Sequence, residues 1–157
     1  MIRDAQASDA SAIAAIWNAV IKDSSITFTT KLKSEEDICA LIRTGPMLVL
    51  EVDEDVAGFA LFGPFRSGPG YRFVAEHSIY LASVQQRCGQ GRTLLGALED
   101  RARAAGIDTF VAGIGGENDA AQAFHTAMGY ALVAKMPGVG EKFGRRHDLI
   151  LMQKSLS

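Results

Sequence analysis

The stretch Gln86-Arg87-Cys88-Gly89-Gln90-Gly91-Arg92-Thr93-Leu94-Leu95 constrains the rest of the chain more than any other. It follows an extended run, Phe73 to Leu81, and opens a pattern in which Leu94, Leu95, Leu98 and Ala102 share one helical face. Two glycines at a strand-to-helix turn let the backbone fold tightly, so that several N–H groups converge. The first turn of a helix also carries N–H groups without helical partners and the positive end of the dipole, a combination that favours phosphate. Arg87 and Arg92 flank the turn and add point charges. The segment from Gln86 to Thr93 is therefore a candidate phosphate cradle.

Other glycine loops fail on their own requirements. A Walker loop needs Gly-Lys followed by Ser or Thr, and the chain contains no Gly-Lys pair. A dinucleotide-binding fingerprint starting at Gly89 needs glycine or alanine at position 94, which is Leu94. What remains is Gln86-x-x-Gly89-x-Gly91, which resembles the (Arg/Gln)-x-x-Gly-x-(Gly/Ala) pyrophosphate loop of the GNAT superfamily of N-acetyltransferases, users of acetyl-coenzyme A.

A length of 157 residues fits one domain, residues 1–157, with a real core. A formal charge of −2 leaves no electrostatic footprint for nucleic acid or for an acidic membrane surface. No apolar run approaches the length of a membrane span, and Met1-Ile2-Arg3-Asp4 lacks a signal-peptide core. Cys39 and Cys88 have no metal-type spacing and fit reduced thiols in a cytoplasmic protein, and no metal site is expected.

Read in order, Met1 to Ala7 is a first strand, and Ser8 is the expected cap of a helix bearing Ile13, Ile16, Trp17, Val20 and Ile21. Ser25 to Thr30 is a short β-prone segment. Ser34 caps a second helix, with Glu35, Glu36 and Asp37 in its first turn, that ends at Gly45-Pro46. Met47–Asp53 and Val56–Phe65 form a hairpin, Arg66–Gly70 a loop, and the next strand alternates Ala75, His77, Ile79 and Leu81 against Glu76, Ser78 and Tyr80. After the central helix come a strand from Thr109 to Ile114 and a helix capped by Asn118 that ends at Gly129. The strands Tyr130–Met136 and Asp148–Met152 close the chain, separated by a glycine-rich basic loop. The order β-α-α-β-β-β-α-β-α-β-β predicts an α/β (α+β) fold, a mixed sheet with helices on both faces.

That order is the topology of the resembled superfamily, which implies a largely antiparallel seven-stranded sheet. Further matches lie at Thr27-Phe28, Ala75-Glu76-His77-Ser78-Ile79-Tyr80-Leu81, Glu117-Asn118, His125-Thr126-Ala127-Met128-Gly129-Tyr130, and Lys142-Phe143-Gly144-Arg145 ahead of Asp148. With these the chain is similar to the phosphinothricin and methionine sulfoximine/sulfone acetyltransferase subgroup. Departures are Gln86 for the usual arginine, Cys88 where glycine is frequent, and Arg146 where tryptophan is usual. The resemblance implies acetyl-CoA as co-substrate, a small-molecule amine acceptor and a homodimer. It also implies that the pantetheine arm pairs with the fourth strand at Ile79, Tyr80 and Leu81, opened by a bulge, and contacts Asn118.

Acetyl transfer to an amine requires removal of the ammonium proton, a donor to the oxyanion, protonation of the thiolate, and positioning of both substrates. Glu76, in an otherwise apolar and hydroxyl-bearing strand, is the candidate base, acting directly or through water. Its alternative is a salt bridge to Arg72. His77 points to the opposite face and reads as a core histidine. His125 stands where many superfamily members place the acid that protonates the thiolate, and a structural contact is the alternative. Phe28, Arg66, Tyr71, Arg72, Lys142, Phe143 and Arg145 form a set of aromatics and cations suited to a small zwitterion bearing a carboxylate. Acetylation of a protein N-terminus or lysine, and non-catalytic acyl-CoA sensing, are the competing readings.

Overall fold

A computed structural model describes residues 1–83 and 89–157. Seven strands, β1 (Ile2–Asp4), β2 (Met47–Val52), β3 (Asp55–Pro64), β4 (Val74–Leu81), β5 (Thr109–Gly115), β6 (Ala131–Lys142) and β7 (Arg145–Ser155), form one sheet in the order β1-β2-β3-β4-β5-β7-β6. Every pairing is antiparallel except β4 with β5. The helices are α1 (Ala10–Asp23), α2 (Glu35–Thr44), α3 (Gln90–Ala104) and α4 (Asp119–Ala127), so the element order is the expected one.

The helices divide between the two faces, because strand alternation gives each face its own apolar set. On one, Leu94, Leu95, Leu98 and Ala102 of α3 are fully buried against Ala75, Phe110 and Ala112, with Phe124 of α4 beside them. Burial of each such leucine stabilises by about 1.5–3 kcal/mol. Glu99, on the same helix, is buried where it accepts from Tyr130 Oη at 3.0 Å and Lys154 Nζ at 2.8 Å, tying α3 to β7. On the other face, Ile13, Trp17 and Ile21 of α1 and Ile38 of α2 pack on Val49 and Phe59.

Ser34 caps α2 as expected, accepting from Asp37 N in a reciprocal capping box. Ser8 does not cap α1. It lies in a 3-10 turn, Ala7–Asp9, that leads into α1. Asp9 precedes the helix without a side-chain cap bond to it, and its carboxylate closes the turn by accepting from Gln6 N at 2.7 Å and from the Arg3 guanidinium at 2.9 and 3.0 Å. The hairpin between β2 and β3 turns on Asp53 and Glu54, both at positive φ (52° and 69°), the conformation that matches strand twist.

Two expectations are corrected. The glycine-rich stretch after Met136 is not a loop: β6 runs through it to Lys142, and β7 starts at Arg145 after a tight turn at Phe143 and Gly144 (φ 56° and 75°). The glycines serve close packing, since a Cβ on Gly140 would lie 2.4 Å from the Phe28 ring. β4 carries no bulge, because its register with β3 is continuous from Ala75 to Leu81. The sheet opens by another route. The β4–β5 pairing ends at His77 opposite Ala112, although β4 continues to Leu81 and β5 to Gly115. The two strands part there, and a cleft forms between them. No described helix is long and apolar enough to cross a membrane.

Candidate active site

The cleft where β4 and β5 diverge has a volume of about 500 Å³. Its walls are His77 to Leu81 of β4, Ala112 to Ile114 of β5, the start of α3 (Gly89, Gly91, Arg92), and one face of α4 with Asn118, Phe124 and His125; Val20 and Ile26 close it from the α1 side. Gly89 takes the left-handed conformation (φ 77°) as the residue before α3, the role expected of it. Gly91 is buried, and a Cβ there would sit 3.3 Å from Phe124 and 3.5 Å from Leu81. Gln90 opens α3, Arg92 lines the cleft, and Thr93 is exposed on the helix beyond it. Gln86, Arg87 and Cys88 lie outside the described residues. Asn118 caps α4, its side chain accepting from Ala121 N at 3.1 Å, and also lines the cleft. Ile79, Tyr80 and Leu81 line it from the stretch of β4 that has parted from β5.

Glu76 lies on the opposite face of β4 from His77. The residue as a whole is exposed, but its carboxylate end lies against Gly113, where a Cβ would come within 2.9 Å of Oε2. The shielding at that end is the cause of its pKa, which burial raises above the ordinary carboxylate range. The salt bridge to Arg72 does not form: Arg72 donates to the Pro69 carbonyl at 3.1 Å and stacks over the Phe73 ring at 4.3 Å. Among the described residues Glu76 has no cation partner. Gly113, which makes room for this carboxylate, was visible in the sequence only as one small residue in an apolar strand.

His125 is buried, and both of its ring nitrogens are engaged. Nδ1 lies 2.8 Å from the Ala121 carbonyl and Nε2 lies 3.0 Å from Nε2 of His77. Burial lowers its pKa, against the pull of the Ala121 carbonyl and the Glu99 charge. His77, also buried, is pushed down to about 3 by burial and by its neighbour His125, so its ring is neutral at physiological pH. The pairing of the two imidazoles was not legible from 48 residues of separation.

The acceptor candidates fall into two groups, and none of them lines the cleft itself. Arg66, Tyr71 and Arg72 lie in the β3–β4 loop, with Arg66 over the Tyr71 ring at 5.7 Å. Phe28, Lys142, Phe143 and Arg145 gather around the β6–β7 turn. Phe28 packs against Gly115 and Gly140 and stacks on His147, centroid to centroid 5.6 Å. Lys142 is 1% exposed, and its ammonium donates to the carbonyls of Ser24 at 2.6 Å and Thr27 at 2.8 Å. It therefore fixes the irregular strap 24–28 between α1 and α2, and that strap carries Ile26 to the cleft. Arg145 is paired with Glu117 at 2.6 Å, and Phe143 is exposed at the turn. Sequence reasoning missed His147, which is buried and donates from Nε2 to the Lys142 carbonyl at 3.0 Å.

The sheet is thus split between two parallel strands, with the glycine start of α3 bordering the split and the Glu76 carboxylate against Gly113 of its wall. The Acetyltransferase (GNAT) family profile matches residues 13–130, and the chain belongs to that family. It is 41% identical to the L-amino acid N-acyltransferase MnaT of Escherichia coli, over 99% of this chain and 93% of that protein. It is 37% identical to the L-methionine sulfoximine/L-methionine sulfone acetyltransferase of Salmonella typhimurium, over 99% and 94%. The solved phosphinothricin acetyltransferase of Sinorhizobium meliloti in complex with acetyl-CoA superposes with a TM-score of 0.95 at 32% identity, covering 100% of this chain and 88% of that one.

Proposed function

We propose that this acetyltransferase moves an acetyl group from acetyl-CoA to the amine of a small amino-acid-like acceptor of the phosphinothricin and methionine sulfoximine/sulfone type, in the cytoplasm, where acetyl-CoA is available. The observation that carries this reading is the cleft between β4 and β5, bounded by the glycine start of α3, with the Glu76 carboxylate against Gly113 of its wall. The residues present fit acetyl-CoA: the N–H groups of the first turn of α3, which opens after Gly89 at the cleft, offer donors to a pyrophosphate, and the freed edge of β4 at Ile79 to Leu81 offers amide partners to a pantetheine arm. Bound there, acetyl-CoA supplies an activated acyl group.

In this mechanism Glu76 takes the ammonium proton, the step its raised pKa favours, and so frees the amine lone pair for attack. His125 belongs to the proton-handling side of the site. Arg72 and Arg66 hold the acceptor carboxylate from the β3–β4 loop, while Phe28, Phe143 and Arg145 border the acceptor side. Incubation with acetyl-CoA and L-methionine sulfoximine, L-methionine sulfone or phosphinothricin should release free CoA thiol. Release with none of them would overturn the acceptor class.

Two variants probe the two substrates separately. Gly91→Val pushes side-chain atoms into Phe124 and Leu81, both in the cleft wall. Overpacking of this kind costs about 1–3 kcal/mol, so the KM for acetyl-CoA should rise roughly tenfold or more while the acceptor KM moves little. An unchanged acetyl-CoA KM in the folded variant would remove the loop from the coenzyme site. Arg72→Ala should cost about 1.5–3 kcal/mol in binding of carboxylate-bearing acceptors, the range for hydrogen bonds to charged groups, and leave decarboxylated amines nearly unaffected. Equal losses for both would make Arg72 a structural residue.

The functional unit in this reading is a homodimer. Strand β6 is the sheet edge, and Leu132, Val133, Met136, Val139 and Phe143 expose apolar surface along it, with Leu132 64% and Phe143 61% accessible. Sedimentation equilibrium should give twice the chain mass, and a monomer at micromolar concentration would reject the assignment.

A further inference from the structure

His77 and His125 meet in an arrangement more specific than two rings in a core. Their centroids are 5.2 Å apart and their planes differ by 22°. That separation is what a 3.0 Å Nε2···Nε2 contact plus two ring radii gives, so the imidazoles lie edge to edge in nearly one plane, aligned for a linear N–H···N bond. The tautomers follow from one neighbour. The Ala121 carbonyl can only accept, so His125 carries its proton on Nδ1 and leaves Nε2 as a lone pair. His77 must then donate from its own Nε2. That leaves Nδ1 of His77 with a lone pair, buried and without a hydrogen-bond partner among the described residues. A buried polar atom left unpaired is costly, and this one belongs to a residue that lines the cleft.

We propose that His77 and His125 form a two-imidazole proton relay, with Nδ1 of His77 as its port to the cleft and His125 as its charged terminus. This assignment rests on the cleft being the acetyl-transfer site. A primary ammonium gives up two protons on becoming an amide. Glu76 takes the first, before attack, from one face of β4. After the N–C bond has formed, the nitrogen still carries a surplus proton, and His77 reaches the parted strands from the other face. The N–H bond breaks and Nδ1–H of His77 forms; the Nε2 proton of His77 crosses to Nε2 of His125, which becomes an imidazolium. Reversal returns that proton through the same port to the departing thiolate sulfur, forming S–H. No proton is gained from or lost to water in this exchange, and the sheltered pair begins and ends neutral.

The surroundings suit His125 as the charged end. His77 is enclosed by the rings of Phe110 at 4.9 Å and Tyr130 at 5.4 Å, and among the described residues no carboxylate pairs with it. His125 faces Phe124, Tyr130, the Ala121 carbonyl and the field of Glu99, which Lys154 partly neutralises. Burial holds both rings neutral at rest, and the carbonyl and Glu99 favour the proton on His125.

Nitrogen-15 NMR of the ligand-free protein tests the relay without acetyl-CoA or acceptor, so its failure is separate from failure of the acetyl-transfer reading. At neutral pH, His77 should be the Nε2–H tautomer and His125 the Nδ1–H tautomer. On acidification a single midpoint is expected, at which His125 becomes doubly protonated while His77 switches to Nδ1–H. Separate midpoints, or His77 keeping Nε2–H while His125 titrates, would overturn the relay. His77→Gln retains an N–H donor for His125 and cannot pass a proton. Its kcat should fall at least about tenfold to hundredfold with the KM for acetyl-CoA unchanged, and wild-type turnover would count against the proposal.

Discussion

Glu76→Gln should lower kcat by about 10²–10⁴-fold, roughly 3–5 kcal/mol in barrier, while affinity for acetyl-CoA stays near wild type. The substitution keeps the shape over Gly113 and removes only the capacity to take a proton. The pH profile gives an independent readout. Burial raises the folded pKa of Glu76, so its protonated, inactive form persists to higher pH than for a free carboxylate. Wild-type rate should therefore fall as pH drops through that raised value, and the variant should lack this limb. If kcat at neutral pH with saturating acceptor stays within about threefold of wild type, under 1 kcal/mol, Glu76 is not the base and the histidine pair must be tested in that role.

The second large effect concerns stability. Lys142→Met should remove the two charge-assisted bonds that hold Ser24 and Thr27, each worth about 1.5–3 kcal/mol before the relief of burying an ammonium is subtracted. A net loss of about 2–3 kcal/mol, or a Tm lower by about 4–12 °C for a chain of this size, is expected in thermal melts. The acceptor KM should rise as a consequence, since the strap brings Ile26 to the cleft and Phe28 to His147. An unchanged Tm with a raised acceptor KM would instead make Lys142 a direct ligand of the acceptor.

Lys142 also shows where the sequence stops being informative. A lysine beside Phe143 in a glycine-rich stretch reads as a loop cation, because nothing local reveals that Ser24 and Thr27, more than a hundred residues earlier, turn their carbonyls toward it. The same stretch reads as a loop because glycine punctuates most chains, whereas here Gly140 gives way to an aromatic ring from another element. What was legible rests on periodicity and punctuation: the apolar stripe of α3, the capping box at Ser34, the Asp53-Glu54 turn and the glycine start of α3. Those signals are local, and they suffice for element order; the opening at Ile79 to Leu81 was implied only by the resemblance to the GNAT superfamily. The Glu76 carboxylate over Gly113 and the edge-to-edge contact of His77 with His125 depend on strands and helices that meet only in the folded sheet.

The most direct test of the account is a comparison of kcat/KM, at saturating acetyl-CoA, for L-methionine sulfone, its decarboxylated amine, and a peptide beginning with methionine. If the site takes a free zwitterion, the amino acid should lead the decarboxylated amine by roughly tenfold to hundredfold, the equivalent of about 1.5–3 kcal/mol from the carboxylate contacts. The peptide should be slower than the free amino acid. A peptide preferred over the free amino acid, or acetyl-CoA bound with no thiol released from any of the three, would contradict it.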